Sequence, residues 1–196
     1  MQKKLAPIQL SLATGLSLSL GDPRILKDRK MALFCSVKCP GEPIVQAYDL
    51  ARTLRDAGVT VIGGFQSPIE KDCLELLLCG TQQLIICPAR SIQGMRLPAM
   101  WKSAIRSGRL LLLSAFEESF RRPTAELSEK RNELVANLAD QILFVYSFPG
   151  GKTEALAKKV ISQGKPVLTL DSKENANLVA LGAKVVNPLD FAKKAK

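Results

Sequence analysis

The fold is decided first by residues 142–163, which read ILFVYSFPGGKTEALAKKVISQ. Four consecutive apolar residues open the segment, as expected for a strand that is buried on both faces of a parallel sheet. A glycine-containing loop follows, and then apolar residues recur from Leu156 to Ile161 at the spacing of one helix face until Gly164 ends the pattern. The segment therefore predicts a strand, a loop and a helix over Gly151–Gln163.

The same alternation runs through most of the chain. Besides Ile142–Val145, near-continuous apolar runs occupy Met31–Cys35, Val59–Ile62, Gln83–Cys87, Leu110–Leu113, Val167–Leu170 and Lys184–Val186. Further amphipathic helical patterns lie at Ile44–Ala57, Glu126–Ala139 and Asn175–Leu181. Strands and helices that alternate at this spacing predict an α/β fold of the Rossmann-like type, with a mostly parallel sheet and helices on both faces. We expect the central strands to include Met31–Cys35, Val59–Ile62 and Ile142–Val145.

Composition fits one globular domain. The chain has 196 residues, of which 46% are hydrophobic and 23% are charged, enough to bury a single core. We expect this domain at residues 31–192, an N-terminal appendage at residues 1–30 and a basic tail at residues 193–196. Leu5–Leu20 does not have the pattern of a signal peptide, and no apolar run approaches the roughly 20 residues of a membrane span. We therefore expect a cytoplasmic protein that does not enter a membrane.

The cysteines and the absence of histidine limit the chemistry. The five cysteines form no Cys-x-x-Cys pair; they are Cys35, Cys39, Cys73, Cys79 and Cys87. We expect reduced buried thiols and no zinc site. Without histidine, Ser-His-Asp and Cys-His catalysis are excluded. Any reaction would have to use carboxylates, lysine or backbone amides, and no cofactor is expected.

The charge favours an anionic partner. The net charge is +10, which suits nucleic acid or an anionic membrane surface. One basic stretch, Arg90–Arg109, contains no acidic residue, and basic side chains around an aromatic residue are typical of surfaces that bind single-stranded nucleic acid. The candidate nucleic-acid surface comprises Arg90, Arg96, Trp101, Lys102, Arg106 and Arg109. The alternative is a solvated helix face with a tryptophan in the core.

Phosphate-binding candidates lie in the loops that follow the predicted strands, because ligands of open parallel sheets bind beyond the carboxyl ends of the strands. The candidates in three such loops are Ser36, Lys38, Gly63, Gly64, Gly150, Gly151, Lys152 and Thr153. The last four begin a helix, where exposed amides and the helix dipole favour an anion, although the Walker A spacing is absent. Each loop can also be interpreted as a turn or helix start that only packing requires.

From about Met31 to Asn187, the order of motifs resembles the DprA/Smf family of DNA-processing proteins. The family's Gly-Ser-Arg corresponds to Cys35-Ser36-Val37, and its Ser-Gly-Leu-Ala-x-Gly-Ile-Asp to Gly63–Glu70. Its basic-Arg-Asn motif corresponds to Lys130-Arg131-Asn132. The helix start Pro149–Glu154 is more similar to Pro-Gly-Gly-x-Gly-Thr-x-x-Glu of the "Lonely guy" phosphoribohydrolases, a related family, with one glycine missing.

The resemblance implies a Rossmann-like protein that binds single-stranded DNA or a nucleotide, forms a homodimer and has RecA as a partner. It adds Lys130, Arg131 and Asn132 to the candidate phosphate site. The chain departs from the family pattern at Val37, where the family has an arginine, and at Pro68 and Glu70.

Two classes of function follow from the motifs. The first is a binding module for single-stranded DNA or a nucleotide. The second is a nucleoside monophosphate phosphoribohydrolase, in which Glu154 would act near the ribose and Arg131 on the phosphate. The missing glycine shifts Glu154 relative to the phosphate, so binding without turnover is favoured. A nucleotide-ligand sensor is a third interpretation of the same residues.

Overall fold

The computed structural model describes residues 6–192, so residues 1–5 and the predicted basic tail at 193–196 lie outside the described part. Within it, the strands are β1 (Ile8–Leu12), β2 (Gly15–Leu20), β3 (Lys30–Cys35), β4 (Thr60–Gly63), β5 (Leu84–Ile86), β6 (Leu110–Ser114), β7 (Gln141–Tyr146), β8 (Val167–Leu170) and β9 (Lys184–Val186). The helices are α1 (Gly41–Ala57), α2 (Pro68–Leu78), α3 (Ala99–Arg106), α4 (Ala125–Leu138), α5 (Lys152–Ser162) and α6 (Ala176–Ala180).

The strands form one sheet in the order β1-β2-β6-β5-β4-β3-β7-β8-β9. From β6 to β9 every neighbouring pair is parallel, and only the pairs that involve β2 are antiparallel. The predicted mostly parallel α/β sheet is confirmed, and β3, β4 and β7 lie side by side within it as expected. The strand order reverses between β3 and β7, and such a switch point opens a crevice at the carboxyl ends of the strands.

Helices cover both faces of the sheet, as predicted. The core on one face contains Leu50 of α1, Leu77 of α2 and Ile105 of α3. The core on the other face contains Val135 of α4 and Val160 of α5. Successive strand residues alternate between the two cores, which explains why the strands are apolar along their whole length.

Three parts of the fold were not predicted as helices or strands from the sequence. The helix α2 starts with a capping box in which Ser67 and Glu70 satisfy each other's backbone amides. The helix α3 buries only Ala104 and Ile105, so its apolar pattern is short. The described part of residues 1–30, assigned to an appendage, contributes the hairpin β1–β2, which pairs with β6 and lengthens the sheet.

The cysteines are all free, but they are not all buried. Cys35, Cys73 and Cys87 are buried as expected, whereas Cys39 is half-buried and Cys79 is exposed at the end of α2. No helix within residues 6–192 is both long enough and apolar enough to cross a membrane.

Candidate ligand-binding crevice

A crevice of about 300 Å³ opens where the carboxyl ends of β3 and β4 meet the helices α4 and α5. Its lining residues are Phe34, Cys35, Val37, Gln66, Ser67, Glu70, Ser128, Arg131, Asn132, Thr153 and Leu156. Segments from four separate motifs of the sequence therefore meet at one place. The crevice adjoins the switch point between β3 and β7, where ligands of open α/β sheets bind.

Ser36 ties together the two loops at the switch point. Its Oγ accepts a hydrogen bond of 2.9 Å from the backbone N of Phe148, and its own N donates to the carbonyl of Tyr146 at 3.0 Å. The hydroxyl that the sequence assigned to a phosphate therefore has a partner within the protein. Beside it, Val37 is 72% exposed, so this position offers an apolar side chain to a ligand. Lys38 is also exposed.

Glu70 is a buried carboxylate that organises the crevice floor. Its Oε1 accepts a hydrogen bond from the backbone N of Cys35 at 2.8 Å. Its Oε2 accepts from the backbone N of Gln66 at 2.8 Å and of Ser67 at 3.3 Å. Burial raises the pKa of Glu70, while these amides and the positive charge of Arg131 act in the opposite direction. One side chain thus fixes the end of β3 against the loop before α2.

Arg131 lies inside the protein and is only 4% exposed. Its Nε donates to Asn132 Oδ1 at 2.8 Å, its Nη1 to the carbonyl of Cys87 at 3.1 Å and its Nη2 to Gln66 Oε1 at 2.8 Å. Burial lowers the pKa of its guanidinium. Its three donor nitrogens therefore bind protein acceptors, which favours the structural role that is the alternative to a phosphate contact.

The position of the Arg131 side chain requires a glycine at residue 64. A Cβ added at Gly64 would overlap the Arg131 guanidinium, and a Cβ at Gly63 would crowd the ring of Phe65. The sequence analysis assigned Gly63 and Gly64 to close approach of a ligand. In the structure, protein side chains occupy the space beside both glycines.

The Gly150–Thr153 segment begins α5 at the edge of the crevice. The backbone N of Gly150 donates to Glu154 Oε2 at 3.1 Å, and the N of Gly151 donates to the carbonyl of Phe148 at 2.9 Å. Gly151 is the N-cap and gives the first turn no side-chain cap. Thr153 lines the crevice, and Lys152 forms an ion pair of 2.5 Å with Glu129 on α4. The amides of the first turn remain the best anion-binding donors of this segment.

The side chain of Glu154, the carboxylate candidate for catalysis, binds the loop that precedes α5. It accepts hydrogen bonds from Asn177 Nδ2 at 2.7 Å, Lys158 Nζ at 2.9 Å and Gly150 N at 3.1 Å. These partners lower the pKa of Glu154 to about 2. Among the described residues, no hydrogen bond or ion pair joins Glu154 to Arg131, and Glu154 does not line the crevice. The two candidates for catalysis thus serve different parts of the structure.

Other cations near the crevice are paired with carboxylates. Lys130 contacts Glu126 at 2.7 Å along α4. Lys159 on α5 contacts Glu133 on α4 at 2.6 Å. A second groove of about 380 Å³ runs between α4 and α5 and shares Ser128, Asn132 and Leu156 with the crevice.

Gln66 and Ser128 also line the crevice, although the sequence analysis did not select them. Ser128 Oγ donates a hydrogen bond of 3.3 Å to Gln66 Oε1. Ser128 precedes Arg131 by three residues, so helical periodicity places both on one face of α4 and could have identified it. No local signal identifies the side chain of Gln66, because its partners come from α4.

None of the residues of the candidate nucleic-acid surface lines the crevice. Arg90 follows β5 at the carboxyl edge of the sheet, whereas Arg109 precedes β6 at the opposite edge and donates to the carbonyl of Leu78 at 2.6 Å. Arg96, Lys102 and Arg106 are exposed, and Trp101 is half-buried against the core under α1–α3. Three strand spacings, about 14 Å, separate β6 from β3.

No protein-family model and no curated protein sequence matches the chain. Several solved structures, however, are similar to the chain. DNA processing protein A from Streptococcus pneumoniae aligns with a TM-score of 0.75 and 14% identity, over 99% of this chain and 76% of that one. DNA processing protein A from Helicobacter pylori aligns with a TM-score of 0.76 and 19% identity, over 97% of this chain and 96% of that one.

A more distant likeness connects the chain with cofactor carriers. The molybdenum cofactor carrier protein from Chlamydomonas reinhardtii aligns with a TM-score of 0.56 and 13% identity, over 82% of this chain and 92% of that one. The DNA processing protein A structures match more closely and over more of the chain, including the hairpin. The chain therefore has the fold of DNA processing protein A.

Proposed function

We propose that this chain is a DprA-like protein that binds single-stranded DNA at the crevice and does not turn it over. The observation that carries the proposal is the likeness over 97% of the chain to DNA processing protein A from Helicobacter pylori, which was described for its single-stranded DNA binding mode. The net charge of +10 supports a polyanionic ligand. A cytoplasmic location, a homodimer and RecA as a partner belong to the same proposal.

The phosphates would be held by exposed cations and backbone amides. The Arg131 guanidinium is engaged inside the protein, and Val37 stands where the family has an arginine. Lys38 and Lys152 are the chain neighbours of the crevice residues Val37 and Thr153, and with the amides at the start of α5 they would contact the phosphates. Arg96, Lys102 and Arg106 would then hold a longer strand after it leaves the crevice.

The test is a fluorescence anisotropy titration with a labelled single-stranded oligonucleotide and its duplex. We expect tighter binding of the single strand, with little sequence preference. If about four phosphates are contacted, a fourfold increase in salt weakens binding roughly 50-fold, because each contact releases condensed counterions. Absence of an anisotropy change at tens of micromolar protein would reject the proposal.

A pair of matched variants locates the site. Lys152→Gln removes one charge beside the crevice residue Thr153, and Lys184→Gln removes one exposed charge at β9, on the distant edge of the sheet. We expect Lys152→Gln to weaken binding and to reduce the salt slope by about 0.7, and Lys184→Gln to do neither. Equal effects of both variants would show that binding is not centred on the crevice.

The phosphoribohydrolase alternative is tested with the same protein. Incubation with nucleoside monophosphates should release no free base, because the Glu154 carboxylate is occupied by Asn177, Lys158 and Gly150 away from the crevice. If the wild type releases free base and Glu154→Gln does not, the chain is a phosphoribohydrolase instead.

A further inference from the structure

Cys35 and Cys39 lie at the two ends of the loop that connects β3 with α1. Cys35 is the last residue of β3, lines the crevice and is 5% exposed. Cys39 precedes α1 by two residues and is half-buried against the core under α1–α3, to which Cys35 also belongs. The chain bends at Val37 and Lys38 between them, and the two side chains are joined by a hydrogen bond. The loop therefore brings two sulfur atoms next to each other.

The other three cysteines have different surroundings. The Cys73 thiol on α2 donates a hydrogen bond of 3.6 Å to the carbonyl of Ala47, and Cys87 is buried on the opposite face of the sheet. Burial raises the pKa of both thiols to about 12. Cys79 is exposed at the end of α2, where its thiol donates to the carbonyl of Glu75 at 3.3 Å. Of these three thiols, only that of Cys79 is open to a reagent in solution.

The Cys35–Cys39 pair has the arrangement that thiol–disulfide exchange requires. The attacking group in exchange is a thiolate, and cysteines that respond to oxidation are accessible, have a low pKa and lie beside a second thiol. The hydrogen bond with Cys35 lowers the pKa of the Cys39 thiol. The same hydrogen bond, together with burial, raises the pKa of Cys35. Cys39 is thus suited to attack a reagent that reaches the loop from solvent, and Cys35 keeps its proton until it acts second.

We propose that Cys35 and Cys39 are a thiol pair that a small disulfide, of the glutathione type, oxidises reversibly to an intramolecular disulfide. The Cys39 thiolate attacks one sulfur of the small disulfide, and the other half leaves as a thiolate. Cys35 then gives up its proton to water and attacks Cys39 Sγ, so that the second half also leaves as a thiolate. Each cysteine loses one electron, and the small disulfide takes up both and becomes two thiols. An excess of small thiol reverses both steps.

The proposed disulfide lies in the wall of the crevice. It closes a ring that contains Ser36, whose Oγ accepts a hydrogen bond from the backbone N of Phe148, and Lys38. Glu70 already holds the backbone N of Cys35, so oxidation fixes the loop at its second end as well. In a reducing compartment such pairs are transient and sense the redox state. The exchange needs no bound ligand, so it succeeds or fails independently of the proposed DNA binding.

The test follows the connection between two tryptic peptides. Trypsin cleaves between Lys38 and Cys39, so residues 31–38 and 39–52 separate when the pair is reduced and stay joined when it is oxidised. The full chain is equilibrated with mixtures of oxidised and reduced glutathione, exchange is stopped with acid, free thiols are alkylated, and the digest is analysed by mass spectrometry. We expect the joined peptides to appear as the oxidised fraction rises and to disappear when reduced glutathione is restored. Separate peptides with both cysteines alkylated in the most oxidising mixture would overturn the proposal.

Single substitutions test the order of attack. In Cys35→Ser, Cys39 has no second thiol beside it, so we expect the reaction to stop at the mixed disulfide with glutathione. In Cys39→Ser, we expect Cys35 to stay reduced because it is buried. Cys73→Ser removes another buried thiol of the same core and should leave the joined peptides unchanged. The exposed Cys79 is the internal reference, since it should carry glutathione in every variant.

Two outcomes contradict the order of attack: glutathione on Cys35 in folded Cys39→Ser, and an unmodified Cys39 in folded Cys35→Ser. Thermal unfolding checks that each variant folds. If the buried position does not accept serine, a brief exposure of the wild type to oxidised glutathione replaces the variants. Glutathione trapped on Cys39 supports the order, and glutathione trapped on Cys35 refutes it.

Discussion

At the scale of single residues, Gly64 and Arg131 depend on each other. The guanidinium fills the space of a Cβ at Gly64 and is held there by Gln66, Asn132 and the carbonyl of Cys87. The Arg131 charge also compensates the buried carboxylate of Glu70. We therefore expect both residues to contribute to the stability of the crevice whether or not a ligand is present.

This dependence predicts a strong coupling between two substitutions. Arg131→Ala leaves the acceptors on Asn132, Cys87 and Gln66 without this donor and removes a positive charge near the buried Glu70, so it should lower the free energy of unfolding by about 3 kcal/mol. Gly64→Ala should also destabilise, because its methyl group displaces the guanidinium. In the double variant the methyl group finds the space empty, so we expect the loss to be smaller than the sum by about 1 kcal/mol or more.

Urea unfolding of the four proteins measures the coupling. Gly41→Ala is the control, since a Cβ at Gly41 meets nothing within 4 Å, and its effect should stay within about 0.5 kcal/mol. Additive losses of stability would show that glycine at position 64 is not needed to accommodate the Arg131 guanidinium. Full stability of Arg131→Ala with loss of DNA affinity would instead assign the arginine to the ligand.

Glu154 predicts a pH dependence of stability. Its pKa of about 2 in the folded protein lies below the roughly 4.3 of an unfolded glutamate. The charged carboxylate therefore stabilises the fold above pH ~4.3, and this contribution is lost as the pH falls towards 2. We expect Glu154→Gln to be less stable than the wild type at pH 7, and the difference to shrink between about pH 4.3 and 2. A stability difference between Glu154→Gln and the wild type that does not change with pH would contradict the low pKa of Glu154 in the folded protein.

At the scale of elements, α3 carries the exposed part of the basic stretch. It packs on the face of the sheet that carries α1 and α2, whereas α4 and α5, which line the crevice, pack on the other face, so we expect that only a longer oligonucleotide can touch both. In the double variant Arg96→Gln and Lys102→Gln, the salt slope for a long oligonucleotide should fall by about 1.4, while that for a trinucleotide should not change. Equal changes for both lengths would place the short ligand on α3.

The fluorescence of Trp101 tests the same contact between a long oligonucleotide and α3. It is half-buried against the core, so it is not free to stack fully on a base. We expect a long oligonucleotide to change its emission and a trinucleotide confined to the crevice to leave it unchanged. Because Trp101 is the only tryptophan in the chain, the emission has one source.

At the scale of the whole molecule, charge acts in opposite directions on the two proposed interactions. The net charge of +10 attracts the phosphates of DNA and repels a second copy of the chain. Salt therefore weakens the first interaction and strengthens the second.

The sequence by itself determined the α/β class, the seven core strands and four of the helices. These depend on the local spacing of apolar residues, which can be read along the chain. Local rules also predicted a candidate ligand site at the carboxyl ends of the strands, where the structure has a crevice, because parallel sheets bind ligands there. The resemblance in motif order led to the same fold that the solved structures show.

Only the tertiary structure decided which partners within the protein the individual site residues have. Ser36, Gly64 and Arg131 each look like ligand contacts in a motif, yet their partners are Phe148, Arg131 and Gln66, which come from other elements of the chain. The hairpin likewise became the sheet edge only through pairing with β6. A buried polar group must find a partner, and which partner it finds depends on packing between distant segments. Local sequence patterns carry no information about that packing.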